Sequence, residues 1–169
     1  MSLSPAEMKK LQDEHVAAET RKDLAGAVAG YLDDCYYQNV PLGFRIHGRE
    51  RVAAYYERTW EALPDGEVTI EGEAFGDNVA VHWGTFRSTF RGRLLGSEPT
   101  VRRLEFPVIA VLSFRDGKIR AEHLVFDLAT LCDQVGVSVA VARRSTAERE
   151  RTHLVWRDVF VPISEQHSR

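Results

Sequence analysis

The sequence has little cysteine and no long apolar segment, and both shortages narrow the class of protein. Its 169 residues include two cysteines. Two are too few for a disulfide framework, and Cys35 and Cys132 do not have metal-ligand spacing, so we expect reduced thiols. No apolar run approaches the roughly 20 residues of a membrane helix, and the N-terminus lacks the apolar stretch of a secretory signal. We therefore expect a cytoplasmic protein with no membrane partner.

The chain also lacks a large excess of charge of either sign, since the formal net charge is -3. So small an imbalance gives no reason to expect a nucleic-acid partner. The sequence also has no nucleophile elbow, no glycine-rich phosphate loop and no paired cysteines. What remains is an ordinary globular composition, with 44% hydrophobic and 28% charged residues, and a length that suits one domain.

The first third of the chain predicts helices. Ser4, followed by Pro5 and Glu7, is typical of a helix start, and we expect that helix to run to about Arg21. Asp23 is a typical N-cap residue, so we expect a short second helix from Leu24 to Leu32. A strand follows within DDCYYQNVPLG. The third helix is predicted by an apolar stripe at helical spacing, which consists of Val52, Tyr55, Tyr56, Trp60 and Leu63.

The middle of the chain predicts four antiparallel strands in two hairpins. EVTIEGEAF and NVAVHWGTFRSTF flank a GD turn, and VRRLEFPVIAVLSF and KIRAEHLVFD flank an RDG turn. Helices followed by strands predict an α+β fold, a curved, mostly antiparallel sheet packed against N-terminal helices. Such a layer forms a cone with an internal pocket. We assign residues 1–140 to this cone domain and 141–169 to a C-terminal extension that covers the pocket or contacts a second subunit.

The last strand contains the first candidate catalytic residues. If the RDG hairpin pairs Arg115 with Lys118, alternation places His123 and Asp127 on the buried, concave face, with Glu122 on the opposite one. Burial raises the pKa of a carboxyl group, which suits proton transfer near neutral pH. Asp127 is thus the candidate proton-transfer group, with His123 beside it. The alternative is that Asp127 caps the helix that follows, which would lower its pKa.

Other polar and aromatic side chains are candidates for substrate binding. Tyr37 and Asn39 share one face of the early strand and supply a hydroxyl and an amide that orient a substrate oxygen. Alternatively, they satisfy backbone groups near the following turn. His82 lies in a strand with two apolar faces. Trp60 and Tyr56 would form a pocket wall, although a stripe of this kind also suits a plain core.

A metal site is a weaker interpretation of the same residues. His82, His123 and Asp127 are possible metal ligands. Their spacing matches no compact metal motif. We therefore expect neither a metal nor another cofactor.

Three segments resemble the SnoaL-like polyketide cyclase branch of the nuclear transport factor 2-like superfamily. They are RKDLAGAVAGYLDDCYYQNVPLGFRIHGRERVAAYYERTW, LPDGEVTIE and FRDGKIRAEHLVFDLATLCDQVG, and the resemblance covers about Glu14 to Gly136. It implies the α+β cone and a cofactor-free intramolecular aldol closure of a polyketide ester. The aspartate in the FDLATLCDQVG position, here Asp127, would then be the general acid/base, and His123 would assist it. The superfamily also includes isomerases and non-catalytic modules.

The segment YYQNVPL is similar to the water-positioning strand of limonene epoxide hydrolases, in which Tyr37 and Asn39 would hold the water. Those enzymes also use an Asp-Arg-Asp relay. The matching positions here are Gly84, Phe86 and Leu124, so the relay is absent and epoxide hydrolysis is the less favoured activity.

The preferred hypothesis is therefore a cofactor-independent enzyme that binds a small hydrophobic carbonyl compound. A non-catalytic ligand-binding or dimerisation module of the same fold is the alternative. The apolar far side of the sheet, assigned to Leu124, Phe126, Val81 and Trp83, predicts a homodimer through that face.

Overall fold

A computed structural model describes residues 2–150, which form five helices and six strands. The helices are α1 Pro5–Thr20, α2 Leu24–Ala29, α3 Arg49–Ala62, α4 Leu128–Val135 and α5 Val139–Glu150. The strands are β1 Tyr31–Asn39, β2 Phe44–His47, β3 Glu67–Gly76, β4 Val79–Thr89, β5 Arg103–Arg115 and β6 Lys118–Phe126. No helix in the described part of the chain is long and apolar enough to cross a membrane.

The helix starts follow the sequence signals closely. The Ser4 hydroxyl accepts from the Glu7 backbone N–H at 3.3 Å, and a Glu7 carboxylate oxygen accepts from the Ser4 N–H at 2.8 Å, which completes a capping box. Asp23 caps α2 as predicted. That helix is shorter than predicted, because β1 already begins at Tyr31.

The sequence did not predict β2. It has four residues, too few for alternation to distinguish it from a loop. It pairs antiparallel with β1 after a turn in which Gly43 has φ 74°. A positive φ of this size favours glycine, which has no Cβ to clash.

The six strands form one open sheet in the order β2-β1-β6-β5-β4-β3. All neighbours are antiparallel except β1 and β6, which are parallel. The N-terminal helices pack on this sheet, so the predicted α+β architecture is confirmed. Buried side chains group in two clusters, one around Tyr31, Phe44 and Val52 and one around Phe90, Leu104 and Leu131.

A β-bulge in β6 changes which residues face the pocket. Arg115 pairs with Lys118 and Phe114 with Ile119, but Ser113 pairs with Ala121, so one residue of β6 has no partner in β5. A shift of one residue exchanges the two faces of a strand. Beyond the bulge, Glu122, Leu124 and Phe126 line the pocket. The predicted face assignment of β6 is therefore wrong.

The helix α5 closes the described part of the chain. Ala142 is fully buried, and the Arg143 side chain donates to the Pro41 carbonyl at 3.1 Å. Residues 151–169 of the predicted extension lie outside the described residues. The division at 140 and the role of the extension stay predictions.

Candidate active site

A pocket opens between α1, α3 and the concave face of the sheet. Its empty space amounts to about 1010 Å³, the open mouth included. The lining is largely aromatic and aliphatic, and the aromatic part includes Tyr37, Tyr55, Tyr56, Trp60, Phe86 and Phe106. The Tyr56 and Trp60 rings stack with centroids 5.6 Å apart. Such a pocket suits a hydrophobic ligand of small size.

Glu122 brings a carboxylate into this apolar pocket. It is 5% exposed, and its Oε2 atom accepts hydrogen bonds from the hydroxyls of Tyr31 and Tyr56, the latter at 2.7 Å. Burial alone raises the pKa of a carboxyl group, but His15 together with these two hydroxyls outweighs it. They hold the pKa of Glu122 well below its ordinary value. Glu122 is therefore an anion that the fold stabilises.

His15 supplies the matching positive charge. Its Nδ1 atom lies 2.9 Å from the Ala27 carbonyl oxygen. That oxygen only accepts, so Nδ1 carries a hydrogen. Nε2 lies 3.6 Å from Glu122 Oε2 and 3.7 Å from Glu19 Oε1. Burial disfavours the imidazolium, but the two carboxylates outweigh it and raise the pKa of His15 to about 9.

Glu19 is the more exposed of the two carboxylates in this cluster. Its side chain is 28% exposed and belongs to the pocket lining. Burial raises the pKa of Glu19, the imidazolium of His15 opposes this, and the charge of Glu122 adds to it. The net direction is upward, towards the range in which a carboxyl group both takes and returns protons. We call Glu19, His15 and Glu122 the carboxylate–histidine cluster.

The same cluster has the spacing of a possible cation site. One ligand atom from each of the three side chains lies within 4.8 Å of the others. However, Glu122 Oε2 already accepts from two tyrosine hydroxyls, and the His15 imidazolium places positive charge next to both carboxylates. Hydrogen-bond donors and the imidazolium therefore already satisfy the atoms that would bind a cation. The cluster is a proton-sharing network.

Asp127 does not lie where the sequence predicted. It is exposed and caps α4, with Oδ1 accepting from the Thr130 N–H at 3.0 Å and Oδ2 from the Thr130 hydroxyl at 2.7 Å. These bonds, the backbone bond first, lower the pKa of Asp127. The prediction of a buried Asp127 with a raised pKa is wrong, and the capping alternative is confirmed.

His123 is also outside the pocket, on the convex face of the sheet. Its Nε2 atom is hydrogen-bonded to the Tyr36 hydroxyl at 3.0 Å. Burial, reinforced by the nearby Arg45 charge, lowers the pKa of His123 to about 4. The prediction that His123 lies beside Asp127 on the concave face is therefore wrong. His123 is a neutral ring on the convex face of the sheet.

The five residues predicted to bind substrate all line the pocket: Tyr37, Asn39, His82, Trp60 and Tyr56. Asn39 also accepts from the Leu42 N–H at 3.1 Å, which is the backbone role considered as its alternative. Their contact with a substrate stays a prediction.

Sequence reasoning missed His15, Glu19 and Tyr31, and it placed Glu122 on the wrong face. A signal for two of them was present in α1, where Gln12, His15 and Glu19 recur at helical spacing beside the buried Met8 and Ala18. Polar side chains on an apolar helix face need partners inside the protein.

Comparisons with known proteins identify the fold and the family of the chain. The fold is that of the nuclear transport factor 2 and ketosteroid isomerase class. A family model described as SnoaL-like polyketide cyclase matches residues 9–135. The chain belongs to the SnoaL-like polyketide cyclase family, as the sequence resemblance implied. Among curated proteins, none matches the chain.

Several solved structures are similar to this chain. AclR from Streptomyces galilaeus, described as a candidate hydroxylase, is 25% identical with a TM-score of 0.69, over 79% of this chain and 87% of AclR. TsrD from Streptomyces laurentii is 22% identical with a TM-score of 0.71, over 80% and 99%. IdmH from Streptomyces antibioticus, described as a candidate polyketide cyclase, is 20% identical with a TM-score of 0.64, over 76% and 98%.

Proposed function

We propose that this protein is a cofactor-independent acid/base catalyst that acts on a small hydrophobic carbonyl compound, of the polyketide cyclase or isomerase type. The observation that carries the proposal is the carboxylate–histidine cluster in the wall of an apolar pocket. Family membership supports the cyclase type, and so does the description of IdmH. AclR is described as a candidate hydroxylase, so the descriptions of similar structures also include another reaction.

In this proposal Glu19 transfers the proton. Its carboxylate takes a proton from the carbon next to a substrate carbonyl, and the electrons of that C–H bond move to the carbonyl as an enolate. In a cyclase the enolate carbon forms a bond to a second carbonyl carbon, whose oxygen becomes an alkoxide and takes up the proton that Glu19 returns. In an isomerase a proton returns to a different carbon. The raised pKa of Glu19 suits both directions of transfer.

The other members of the site have supporting roles. Glu122 keeps His15 protonated, so that a positive charge lies beside Glu19 as negative charge develops on the substrate. Burial raises the pKa values of Tyr37 and Tyr56 well above the ordinary value of tyrosine. Both hydroxyls therefore stay protonated. The hydroxyl of Tyr56 donates to Glu122, which leaves Tyr37 as the candidate donor to a substrate oxygen.

An experiment that needs no knowledge of the natural substrate tests this proposal. Hydrophobic ketones and esters are incubated with the protein in D2O, and NMR follows exchange of the protons next to each carbonyl. We expect catalysed exchange in at least one compound that binds, and its loss in Glu19→Gln with binding retained. Binding of several ketones with no catalysed exchange would instead establish the non-catalytic ligand-binding module.

A further inference from the structure

Two buried polar atoms between α1 and the β3–β4 hairpin have no hydrogen-bond partner among the described residues. They are Gln12 Oε1 and His82 Nδ1. Gln12 is 0% exposed and His82 is 5% exposed. A buried polar atom that stays unpaired is destabilising, because it has lost its hydrogen bonds to water and gained none in the protein. In folded proteins such atoms are usually satisfied by internal water that bridges several of them.

Both residues adjoin the same carboxylate near the surface, that of Glu73. The Gln12 amide nitrogen donates to Glu73 Oε2 at 3.1 Å, and Glu73 lies directly opposite His82 in the β3–β4 register. The Glu73 side chain is 27% exposed and pairs with Lys9 at 2.9 Å. Glu73 is therefore a carboxylate that meets solvent on one side and buried polar residues on the other.

His82 connects this region to the pocket. The ring belongs to the pocket lining. Burial lowers the pKa of His82. The carboxylates of Glu122 and Glu73 oppose this change, and the charge of His15 adds to it. A neutral imidazole between carboxylates passes a proton well, because one nitrogen accepts while the other releases. Gln12 and His15 lie one turn apart on the buried face of α1, which brings the carboxylate–histidine cluster to the same layer.

We propose that Gln12 and His82 hold internal water that links the carboxylate–histidine cluster to Glu73, and that this water is a proton path to solvent. The proton role rests on the proposed function, whereas the water site does not. Gln12 is then a positioning residue, since it fixes the water and does not touch the substrate. The path lets Glu19 exchange its proton while a bound ligand fills the apolar side of the pocket.

A crystal structure of the whole chain at high resolution tests the water site. We expect a water within hydrogen-bond distance of both Gln12 Oε1 and His82 Nδ1. The finding that both atoms bond only to protein groups would overturn the proposal. This measurement does not depend on any activity.

Kinetics test the proton role. A ketone deuterated next to its carbonyl is incubated with the protein in H2O, and mass spectrometry follows the loss of deuterium to solvent. In Gln12→Met we expect the loss to slow by about tenfold, with ligand affinity and melting temperature close to those of the wild type. Glu14→Gln, on the exposed side of the same helix, is the matched control and should exchange like the wild type.

The outcomes separate the two proposals. Normal deuterium loss in Gln12→Met would overturn the proton path and leave the proposed function intact. No deuterium loss in the wild type, with any ketone that binds, would overturn the proposed function and the proton role together. If Gln12→Met does not fold, Glu73→Gln interrupts the path at its outer end and carries the same expectation.

Discussion

His15 Nε2 lies 3.6 Å from Glu122 Oε2, and both side chains are almost completely buried. The Ala27 carbonyl fixes the other ring nitrogen of His15, and two tyrosine hydroxyls fix the Glu122 oxygen. Each charge therefore has its partners inside the fold. Because a buried charge without its partner is strongly unfavourable, this pair links the stability of the protein to its candidate active site.

The first prediction concerns stability at alkaline pH. The folded protein keeps a proton on His15 up to about pH 9, whereas the unfolded chain releases it near pH 6.5. The folded state thus binds more protons in this window. The contribution of His15 is complete below pH 6.5 and falls as the pH rises, with a slope of about 1.4 kcal/mol per pH unit. Urea unfolding at a series of pH values measures it.

The His15→Asn variant is the control for this prediction, because it removes the titrating ring. We expect the difference in unfolding free energy between wild type and variant to shrink from pH 6.5 to 9. A difference that stays constant over that range would mean that His15 is not charged in the folded protein.

The second prediction concerns the loss of Glu122. Glu122→Ala leaves the His15 charge buried without this partner, so we expect a loss of about 3–5 kcal/mol in unfolding free energy. Glu122→Gln keeps an acceptor for Tyr31 and Tyr56 and should lose less. Chemical denaturation of both variants gives the comparison. Equal losses would indicate that the charge, which both variants remove, determines the effect, and a Glu122→Gln variant as stable as the wild type would contradict the buried ion pair.

The bulge in β6 shows where sequence reasoning reaches its limit. The RDG turn correctly predicted the pairing of Arg115 with Lys118. One extra residue between Ile119 and Ala121 then shifted the register of the rest of the strand. Both faces of β6 contain apolar residues, so alternation gave no sign of the exchange. The expected alternation therefore placed Asp127 on the concave face, whereas the buried carboxylate is Glu122.

The helices and hairpins were predictable for a different reason. Their signals are local: the Ser4 capping box, the Asp23 cap and the turn residues each act within a few positions. The carboxylate–histidine cluster joins α1 to β6 across more than 100 residues of sequence. No local pattern specifies such a contact, although the polar residues of α1 indicate that one is needed.

The third prediction follows from the cap at α4. Asp127→Ala removes the acceptor for Thr130 and should lower the melting temperature by a few degrees, whereas Asp127→Asn should be milder because asparagine also caps helices. Neither change should alter ligand binding. Calorimetry and a binding titration test this, with Asp23→Ala at the start of α2 as the matched cap variant. Weaker ligand binding in Asp127→Ala at unchanged stability would contradict this prediction and indicate that Asp127 belongs to the ligand-binding site.

The fourth prediction is a homodimer through the convex face of the sheet. Leu124 and Phe126 belong to the pocket, so that part of the predicted surface is wrong. Trp83, Ile109 and Val125 replace them, since they are exposed and lie opposite one another across β4, β5 and β6. An apolar row of this kind favours association.

Sedimentation at micromolar concentration tests the dimer. We expect a dimer for the wild type and a monomer for Ile109→Glu, which places a charge in the row. Glu57→Lys, on the exposed side of α3, should sediment like the wild type. A monomeric wild type would contradict the prediction.

The measurement that tests the central claim most directly compares two carboxylates. It is the rate of proton exchange next to the carbonyl of a bound ketone in D2O, in the wild type, Glu19→Gln and Asp127→Asn. We expect Glu19→Gln to lose about 100-fold or more of the catalysed rate and Asp127→Asn to keep it. Full activity in Glu19→Gln, with loss in Asp127→Asn, would contradict the account.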